Sequence, residues 1–220
     1  MNTRIDKVEI SKQVVLGAER PVIIAGPCAI ESLDICLRTG EQVKRICEEL
    51  SLPYIFKSSF DKANRTSYQN FRSIGSEEAL RILEAVRSQL QVPVLTDVHE
   101  TIQVASTAEV ADVLQIPAFL CRQTDLIQAA AQSGRAVNIK KGQFMAPEDM
   151  QYAVDKVVAT GNSRAFLTER GTSFGYHALV VDMRSLPVMR QFSPVVFDVT
   201  HSVQMPGGAK GSSGGQREFA

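Results

Sequence analysis

Cysteine, net charge and long apolar runs are all scarce in this sequence, and each scarcity excludes a class of protein. The four cysteines among 220 residues do not resemble the framework of a secreted disulfide protein, so we expect a reducing, cytoplasmic location. The 24 basic and 24 acidic residues cancel, which leaves no global field to recruit nucleic acid or an anionic membrane. No apolar run approaches the roughly 18 residues of a membrane span, and no N-terminal signal peptide is recognisable.

Two glycine motifs of nucleotide-binding folds are also absent. No G-x-G-x-x-G follows a predicted strand, and no G-x-x-x-x-G-K-[ST] occurs. The chain has instead amphipathic helical patterns, for which Ser32 (before 33–50) and Ser76 (before 77–90) are the predicted N-caps, and these patterns separate seven short β-branched and apolar runs. These runs are residues 21–27, 54–56, 92–96, 111–114, 137–139, 165–169 and 195–197. Such alternation predicts one α/β domain over residues 1–220 with a parallel sheet.

Nearly every run ends on a residue that can do chemistry. The ends are Cys28, Lys57, Asp97, Gln115, Lys140, Arg170 and Asp198, with His99 and His201 close behind. In a (β/α)8 barrel all strand ends lie on one rim, where the active sites of such enzymes are found. An open doubly wound sheet would bind its ligand at a single switch point instead. The distribution therefore favours a TIM barrel and an enzyme.

A barrel needs eight strands, and the pattern supplies seven. Residues 1–19 are predicted to form an N-terminal β-hairpin at the bottom of the barrel. The Gly-rich residues 205–216 are predicted to be a mobile active-site loop without regular structure. The chain ends as a helix begins, so we expect the last helix-strand-helix portion, about 40–60 residues at roughly 30 per unit, to lie outside it.

The densest polar stretch, residues 57–67, follows the second run. Lys57, Lys62 and Arg65 stand there among hydroxyls and an amide, which suits a substrate carrying phosphate and carboxylate. A solvated loop would have a similar composition. Lys140 and Arg170 follow their strands as Lys57 does, and cations converging on one rim are better explained by a bound anion than by separate ion pairs.

Cys28 has three interpretations from its position after Ala-Gly-Pro. In the first, Cys28 is a small buried hydrophobic residue, and in the second it is a nucleophile. In the third it is a metal ligand, for which His201 is the natural second ligand. Asp97 and His99 offer a carboxylate and an imidazole at one strand end. An Asp that caps a helix and a His on the surface would have the same sequence, so a structural role stays open. The other cysteines, Cys36, Cys47 and Cys121, are predicted to be structural.

Together these segments resemble the 3-deoxy-D-manno-octulosonate 8-phosphate synthase (2-dehydro-3-deoxyphosphooctonate aldolase) family. The matching motifs run in unbroken order from about residue 20, and Phe-Asp-Lys-Ala-Asn-Arg at 60–65 separates the chain from the related synthase that condenses erythrose 4-phosphate. Further motifs are residues 26–32, 96–100, 115–120, 122–125, 138–141, 143–144, 169–171, 174–176 and 197–202. The resemblance implies a homotetrameric TIM-barrel transferase that condenses phosphoenolpyruvate with D-arabinose 5-phosphate and water on the route to lipopolysaccharide.

The resemblance also implies roles for individual residues. The positions implied for phosphoenolpyruvate are Lys57, Lys62, Gln115, Lys140, Arg170 and the amide of Ala118. Those implied for arabinose 5-phosphate are Asn64, Arg65 and Thr66, with Arg122 reaching the sugar phosphate of a neighbouring subunit. The expected catalytic residues are Lys62, Asp97, His99 and His201, of which His99 helps to move protons.

Cysteine at position 28, together with Gln204-Met-Pro-Gly-Gly, resembles the metal-dependent branch of the family. Its ligands are implied to be Cys28, His201, and a Glu and an Asp that would lie beyond residue 220. The set could accept divalent iron, manganese, zinc or cadmium. With two ligands of four, this chain is expected to hold metal poorly, and alone to be inactive and marginally stable.

Two other functions stay open on the residues alone. A Schiff-base aldolase would use Lys57 or Lys140 to attack a ketone, which needs a pKa lowered by a dry pocket or a like charge. A non-catalytic barrel fragment would keep the anion pocket without the chemistry. Borohydride trapping of a substrate adduct distinguishes the first of these from the synthase.

Overall fold

The computed structural model describes residues 4–65, 67–209, 212–215 and 217–220. The strands are β1 (Val8–Ser11), β2 (Val14–Leu16), β3 (Ile23–Ala25), β4 (Tyr54–Lys57), β5 (Val94–Asp97), β6 (Val113–Ile116), β7 (Ala136–Lys140), β8 (Ala165–Glu169), β9 (Thr172–Ser173), β10 (Leu179–Val180), β11 (Val195–Phe197), β12 (Gln204–Ala209) and β13 (Ser212–Gly215). The α-helices are α1 (Leu33–Glu49), α2 (Ser76–Leu90), α3 (Val104–Val110), α4 (Thr124–Gln132), α5 (Met150–Val158), α6 (Ser185–Met189) and α7 (Val199–Ser202). Short 3-10 helices span Thr101–Gln103, Ala118–Leu120 and Arg217–Phe219.

Seven strands form one sheet in the order β11-β8-β7-β6-β5-β4-β3, and every neighbouring pair is parallel. Each of the seven predicted runs overlaps one of these strands. Sequential parallel order with a connection between successive strands is the topology of a (β/α) barrel, so the predicted α/β class and barrel architecture are confirmed. The described residues contain no eighth parallel strand.

The helices pack on the sheet through the apolar faces that their periodicity predicts. The hydroxyl of Ser32 accepts a hydrogen bond from the Ile35 amide at 3.3 Å and caps α1 as expected. Gly40 lets α1 approach its neighbours closely, because a Cβ there would lie 2.5 Å from Leu90 Cδ1 and 3.2 Å from Phe56 Cδ2. The predicted cap of α2 is wrong by one residue: Ser76 is already helical, and Gly75 is the N-cap without a side-chain bond.

The core lies between the sheet and these helices. The strand residues Ile55, Phe56, Leu95, Leu114, Ile139 and Phe166 are all completely buried. Strands covered on both faces have near-continuous apolar sequences, which is why the runs read as strands. Among the described residues, no helix has both the length and the apolar content that crossing a membrane requires.

The N-terminal hairpin is present as predicted, with β1 and β2 antiparallel. The Ile5 amide donates to the Phe192 carbonyl at 2.8 Å, three residues before β11 begins, so the segment lies at the amino end of that strand. The prediction that residues 205–216 lack regular structure is wrong, since β12 and β13 pair as an antiparallel hairpin. Whether this hairpin is mobile stays a prediction.

Candidate active site

Most of the predicted strand-end residues lie together at the carboxyl edge of the parallel sheet. Lys57, Asp97 and Lys140 are the last residues of β4, β5 and β7. Arg170 follows β8 directly, and Gln115 is the penultimate residue of β6. Parallel strands in register bring their ends to one edge, so these side chains border a shared space.

Two lysines meet on one hydroxyl. Lys57 Nζ donates to Ser59 Oγ at 3.4 Å, and Lys62 Nζ donates to the same oxygen at 3.0 Å. Burial lowers the pKa of the Lys57 ammonium, and the charges of Lys62 and Lys140 lower it further, while Asp97 opposes them. This corner of the site therefore has an excess of positive charge that an anion would neutralise.

Asp97 and His99 form a buried pair beside the lysines. His99 Nε2 lies 3.2 Å from Asp97 Oδ2, although the geometry does not qualify as a hydrogen bond, and the Phe60 ring meets the imidazole edge-on at 6.2 Å between centroids. Burial raises the pKa of Asp97, but His99 and Lys57 lower it by more, so it lies well below its usual range. Among described residues, Asp97 Oδ1 and His99 Nδ1 have no hydrogen-bond partner.

A row of buried polar groups crosses three strands below the cations. Gln115 Nε2 donates to Asn138 Oδ1 at 2.6 Å, and Asn138 Nδ2 donates to Thr168 Oγ1 at 2.8 Å and to the Phe166 carbonyl at 3.3 Å. Ala118 lies just beyond β6 as the first residue of a 3-10 helix, so its N–H precedes the helical hydrogen bonds. Two predicted groups, the Gln115 amide and the Ala118 N–H, thus come from one strand end.

Asp198 joins two predicted site residues. Lys140 Nζ donates to Asp198 Oδ2 at 2.5 Å, and His201 Nδ1 lies 2.8 Å from the same oxygen. Asp198 also caps α7, since its Oδ1 accepts from the His201 amide at 3.1 Å. Burial raises the pKa of this carboxyl, but His201 and Lys140 lower it by more, well below the usual range.

Cys28 is exposed, which rules out its interpretation as a buried hydrophobe. A hydrogen bond from His201 lowers the pKa of the Cys28 thiol to about 6, with smaller contributions from Lys62 and Lys57 and with burial acting the other way. Burial raises the pKa of Cys36 to about 11. Like Cys36, Cys47 and Cys121 are buried with raised pKa values, so these three are structural as predicted.

Cys28 and His201 have the donor chemistry of metal ligands. The thiol ionises near neutral pH, and Asp198 binds His201 Nδ1, which leaves Nε2 as the nitrogen that faces away from the carboxylate. A carboxylate behind a metal-binding histidine is the usual arrangement in metal sites. The described residues contain no cluster of three or more such ligands, so these two residues fit part of a metal site.

Arg170 is buried, and two of its side-chain nitrogens make no hydrogen bond to the described residues. Its Nη2 donates to Gln204 Oε1 at 3.4 Å, while Nε and Nη1 have no partner among the described residues. Burial lowers the pKa of the guanidinium, and Asp198 and Glu169 oppose this effect. Buried unsatisfied donors are costly, and a carboxylate or phosphate would satisfy two of them at once.

Glu169 fixes the backbone that carries Arg170. Glu169 Oε1 accepts from the amides of Arg170 and Gly171 at 3.0 and 2.7 Å, and Oε2 accepts from Ser185 Oγ at 2.8 Å. Lys141 Nζ lies 3.6 Å from Oε1, and both side chains are only 1% exposed. Residue alternation places this pair on the opposite face of β7 and β8 from Lys140 and Arg170.

Pockets of about 380 and 410 Å3 lie next to the cation cluster and not inside it. Phe197, Ser202 and Gln204 help to line the smaller one, and Lys141 and Glu169 help to line the larger one. Neither contains Lys57, Asp97 or Gln115 among its lining residues. The charged cluster, with its unpaired buried donors, is therefore the better indicator of the reaction centre.

The Asn64 and Arg65 side chains, which are expected to bind the sugar phosphate, point away from this cluster, although the Arg65 amide donates to the Lys62 carbonyl at 3.2 Å. Asn64 is exposed, and Arg65 turns toward Tyr68, donating to its carbonyl at 3.4 Å and lying 5.4 Å from its ring centroid. Arg122 is exposed beyond the 3-10 helix that follows β6. Thr66 lies outside the described residues.

Four residues that take part in these contacts have no role predicted from the sequence, namely Ser59, Asn138, Asp198 and Gln204. Asp198 did carry a signal, because it directly follows Val-Val-Phe and stands three residues before His201. Asn138 begins one of the matching motifs, but the motif did not indicate a role for it, because its polar side chain within a buried strand is explained only by partners on neighbouring strands.

Residues 5–217 match the model of the DAHP synthetase I family. The chain belongs to this family. Within the DAHP synthetase I family it is 58% identical over 215 residues to a 2-dehydro-3-deoxyphosphooctonate aldolase from a Cyanothece species, spanning 97% of this chain and 79% of the relative. Proteins of the same name from Koribacter versatilis (58% identical, covering 94% and 76%) and Trichlorobacter lovleyi (62%, covering 92% and 75%) are also similar. These relatives confirm the resemblance that the motifs indicated.

Proposed function

We propose that this chain is a 2-dehydro-3-deoxyphosphooctonate aldolase, an enzyme of the transferase class. The reaction condenses phosphoenolpyruvate with D-arabinose 5-phosphate and water to give 3-deoxy-D-manno-octulosonate 8-phosphate and inorganic phosphate. The names of the relatives support this proposal. The structural observation that carries it is the convergence of Lys57, Lys62 and Lys140 with the two unpaired donors of Arg170.

This positive corner suits phosphoenolpyruvate, which carries a carboxylate and a phosphate on three carbons. Arg170 Nε and Nη1 can donate to two oxygens of one anionic group, and the lysines neutralise the remaining charge. Gln115 and the Ala118 N–H supply neutral donors at the neighbouring strand end. Burial of the site strengthens each of these interactions relative to water.

In the proposed reaction, C3 of phosphoenolpyruvate attacks the aldehyde carbon of the sugar and forms the new carbon–carbon bond. Water adds at C2, and phosphate leaves when its bond from oxygen to C2 breaks. Protons must reach the new alkoxide and leave the attacking water. We assign this role to His99, and the assignment is supported by its Nδ1, which has no partner among the described residues, and by Asp97, which lies 3.2 Å from its Nε2.

Cys28 and His201 would hold a divalent metal (iron, manganese or zinc), which when bound supplies polarisation of the aldehyde oxygen or activation of water. Asp198 would orient His201 through Nδ1 and bind the Lys140 ammonium at the same time. Lys62 would act beside them through its charge. These roles of the chain's own residues are ones of orientation and charge compensation.

Arabinose 5-phosphate is assigned to the loop after β4. Asn64, Arg65 and Thr66 would bind the sugar and its phosphate, and Arg122 would reach the phosphate of a neighbouring subunit in a homotetramer. The exposure of Arg122 supports a role outside its own strand-end cluster. The cytoplasmic location expected from cysteine usage remains part of the proposal.

Phosphate release from the two substrates tests the function, first with EDTA and then with added Mn²⁺. Release that needs both substrates, that EDTA abolishes and that Mn²⁺ restores, with product identified by mass, would support the synthase and the metal role of Cys28 together, and would overturn the expectation that this chain alone is inactive. Release that EDTA does not affect would keep the enzyme and remove the metal role of Cys28. Phosphoenolpyruvate binding without turnover would point to the anion-binding fragment.

A Schiff-base aldolase is the second candidate, because burial and neighbouring cations lower the pKa of Lys57. Borohydride reduction with pyruvate or arabinose 5-phosphate would then leave a covalent adduct on that lysine. For the condensation that we favour, intact mass after reduction should be unchanged.

A further inference from the structure

Asn138 occupies the centre of the buried polar row, yet the proposed reaction gives it no role. It pairs in register with Gln115 on β6 and with Phe166 on β8. Gln115 is 8% exposed and Asn138 is 1% exposed, so water does not compete freely for their amides. A buried polar side chain in a sheet core is retained at a cost unless its hydrogen bonds are made.

The Gln115 amide has two ends of nearly the same shape and opposite chemistry. Its NH2 group donates and its oxygen accepts, and the two differ by a simple flip of the amide. An anionic substrate needs the donor end, because the oxygen would repel it. A hydrogen-bond partner in the protein must therefore fix the orientation of the Gln115 amide.

The Phe166 carbonyl fixes this orientation through the amide of Asn138. A backbone carbonyl only accepts, so the Asn138 group 3.3 Å from it must be Nδ2. This places Asn138 Oδ1 toward β6, where it accepts from Gln115 Nε2 at 2.6 Å. Thr168 Oγ1, at 2.8 Å from Nδ2 and 3.0 Å from Oδ1, takes either role as a hydroxyl and accommodates this direction.

We propose that Asn138 is a positioning residue that holds the NH2 end of Gln115 as the donor for the substrate anion. One N–H of Gln115 Nε2 binds Asn138 Oδ1, and the second remains for an anionic oxygen. The orientation thus passes from a fixed backbone acceptor on β8 through β7 to the side chain on β6. This inference rests on the proposed function, because it takes the anion to be phosphoenolpyruvate.

Calorimetric binding of each substrate to Asn138→Leu tests the proposal. Leucine keeps the size of asparagine but removes the acceptor, so the amide of Gln115 is free to flip. We expect the Kd for phosphoenolpyruvate to rise about tenfold, as for a lost hydrogen bond to a charged group, and the Kd for arabinose 5-phosphate to change less than about twofold. Thr160→Val is the matched control, since it removes a hydroxyl bond of 2.7 Å to the Val157 carbonyl at the carboxyl end of α5, which leads into the amino end of β8.

The Gln115→Ala background separates positioning from general support of the sheet. If Asn138 acts through Gln115, Asn138→Leu should change the phosphoenolpyruvate Kd less than about twofold once Gln115 is alanine. An equal effect in both backgrounds, or an equal loss for both substrates, would overturn the proposal. Wild-type chain that binds no phosphoenolpyruvate would instead count against the proposed function itself.

Should Asn138→Leu fail to fold, the side-chain amide of Gln115 in the wild-type chain gives an independent measurement. With 15N-labelled protein, assigned by comparison with Gln115→Ala, both NH2 protons should exchange slowly and one should shift on addition of phosphoenolpyruvate. An NH2 group that exchanges freely and does not respond to the substrate would contradict the assignment.

Discussion

Cys28 differs from the other cysteines because its neighbours stabilise its thiolate. His201, Lys62 and Lys57 all lower its pKa, whereas the remaining thiols are buried in apolar surroundings that favour the neutral form. Thiolate, and not thiol, reacts with alkylating agents. The difference in environment therefore becomes a difference in reaction rate.

We expect iodoacetamide to label Cys28 before any other cysteine at pH 7. With a pKa of about 6, the thiolate predominates at pH 7, and the rate should fall as the pH decreases below 6. Peptide mass spectrometry after short reaction times measures both effects. Cys28→Ser is the control, and Mn²⁺ added to EDTA-treated protein should slow the labelling. Faster labelling of Cys36 or Cys121 would contradict the assignment.

The buried Lys141–Glu169 pair gives a second prediction for single residues. Lys141→Met leaves the Glu169 carboxylate buried without its cation, which should lower the free energy of unfolding by about 3–5 kcal/mol in urea titrations. Glu169→Gln in the same chain should recover part of the loss, because it removes the uncompensated charge. A double variant no more stable than Lys141→Met would mean that packing, and not charge, sets the cost.

For single residues, the sequence predicts which side chains lie at the strand ends but not which of them form ion pairs with each other. Lys140 and Asp198 are 58 residues apart in the chain, and their ion pair depends on the neighbouring positions of β7, β8 and β11. A strand-end cation is recognisable from the run before it. Its partner is recognisable only when the sheet order and register are known.

Two helix starts that look alike in the sequence differ in the structure. Ser32 caps α1 through its hydroxyl, whereas Ser76 lies inside α2 and makes no capping bond. Ser32→Ala should therefore lower the free energy of unfolding by about 1 kcal/mol. Ser76→Ala, the matched control, should stay within about 0.5 kcal/mol of wild type. Similar losses for the two variants in urea titrations would show that capping does not explain the difference.

The loop between β4 and α2 is closed at its neck by an ion pair. Arg72 Nε and Nη2 donate to Asp61 Oδ1 and Oδ2 at 2.9 and 3.1 Å, and Asp61 is almost completely buried. The Lys62 amide donates to the Arg72 carbonyl at 2.9 Å, and Ser73 Oγ donates to the Phe60 carbonyl at 2.7 Å. Asn64 and Arg65, two of the residues proposed to bind arabinose 5-phosphate, lie in the chain between these contacts.

Removal of the Arg72–Asp61 ion pair should weaken the binding of arabinose 5-phosphate. Arg72→Met leaves a buried carboxylate unpaired, so we expect the Kd for arabinose 5-phosphate to rise on the order of tenfold as the loop loosens. Arg184→Met is the matched control, because its ion pair with Asp182 is largely exposed and should contribute little. Calorimetry measures the Kd for arabinose 5-phosphate in both variants. Equal Kd values would contradict a role of the Arg72–Asp61 ion pair in sugar binding.

The parallel strands were predictable because burial on both faces leaves continuous apolar runs. The β12–β13 hairpin was not, because glycine and serine are typical of flexible loops. Antiparallel pairing uses backbone groups, and a segment with few side chains can still pair where a neighbouring strand is available. Composition alone does not show such a neighbour.

For the whole molecule, carboxylates with lowered pKa values make stability depend on pH. The pKa of Asp97 lies lower in the folded chain than in the unfolded chain, so the unfolded chain binds more protons in acid. Its contribution is complete above the ordinary pKa of about 4 and is lost as the pH falls below it. Urea unfolding between pH 5 and pH 3 should show less loss of stability for Asp97→Asn than for wild type. Parallel curves for the two proteins would contradict the assignment.

Ser59 gives the molecule a property that concerns the solution around it. Two ammonium groups directed at one oxygen constitute electrostatic frustration, which an anion bound between them would remove. Phosphate or sulfate should then raise the unfolding temperature more than chloride does, and by more than in Lys62→Met. The measured stability of this protein is consequently a joint property of its core and of the anions in the buffer, and variants can be ranked only when those anions are held constant.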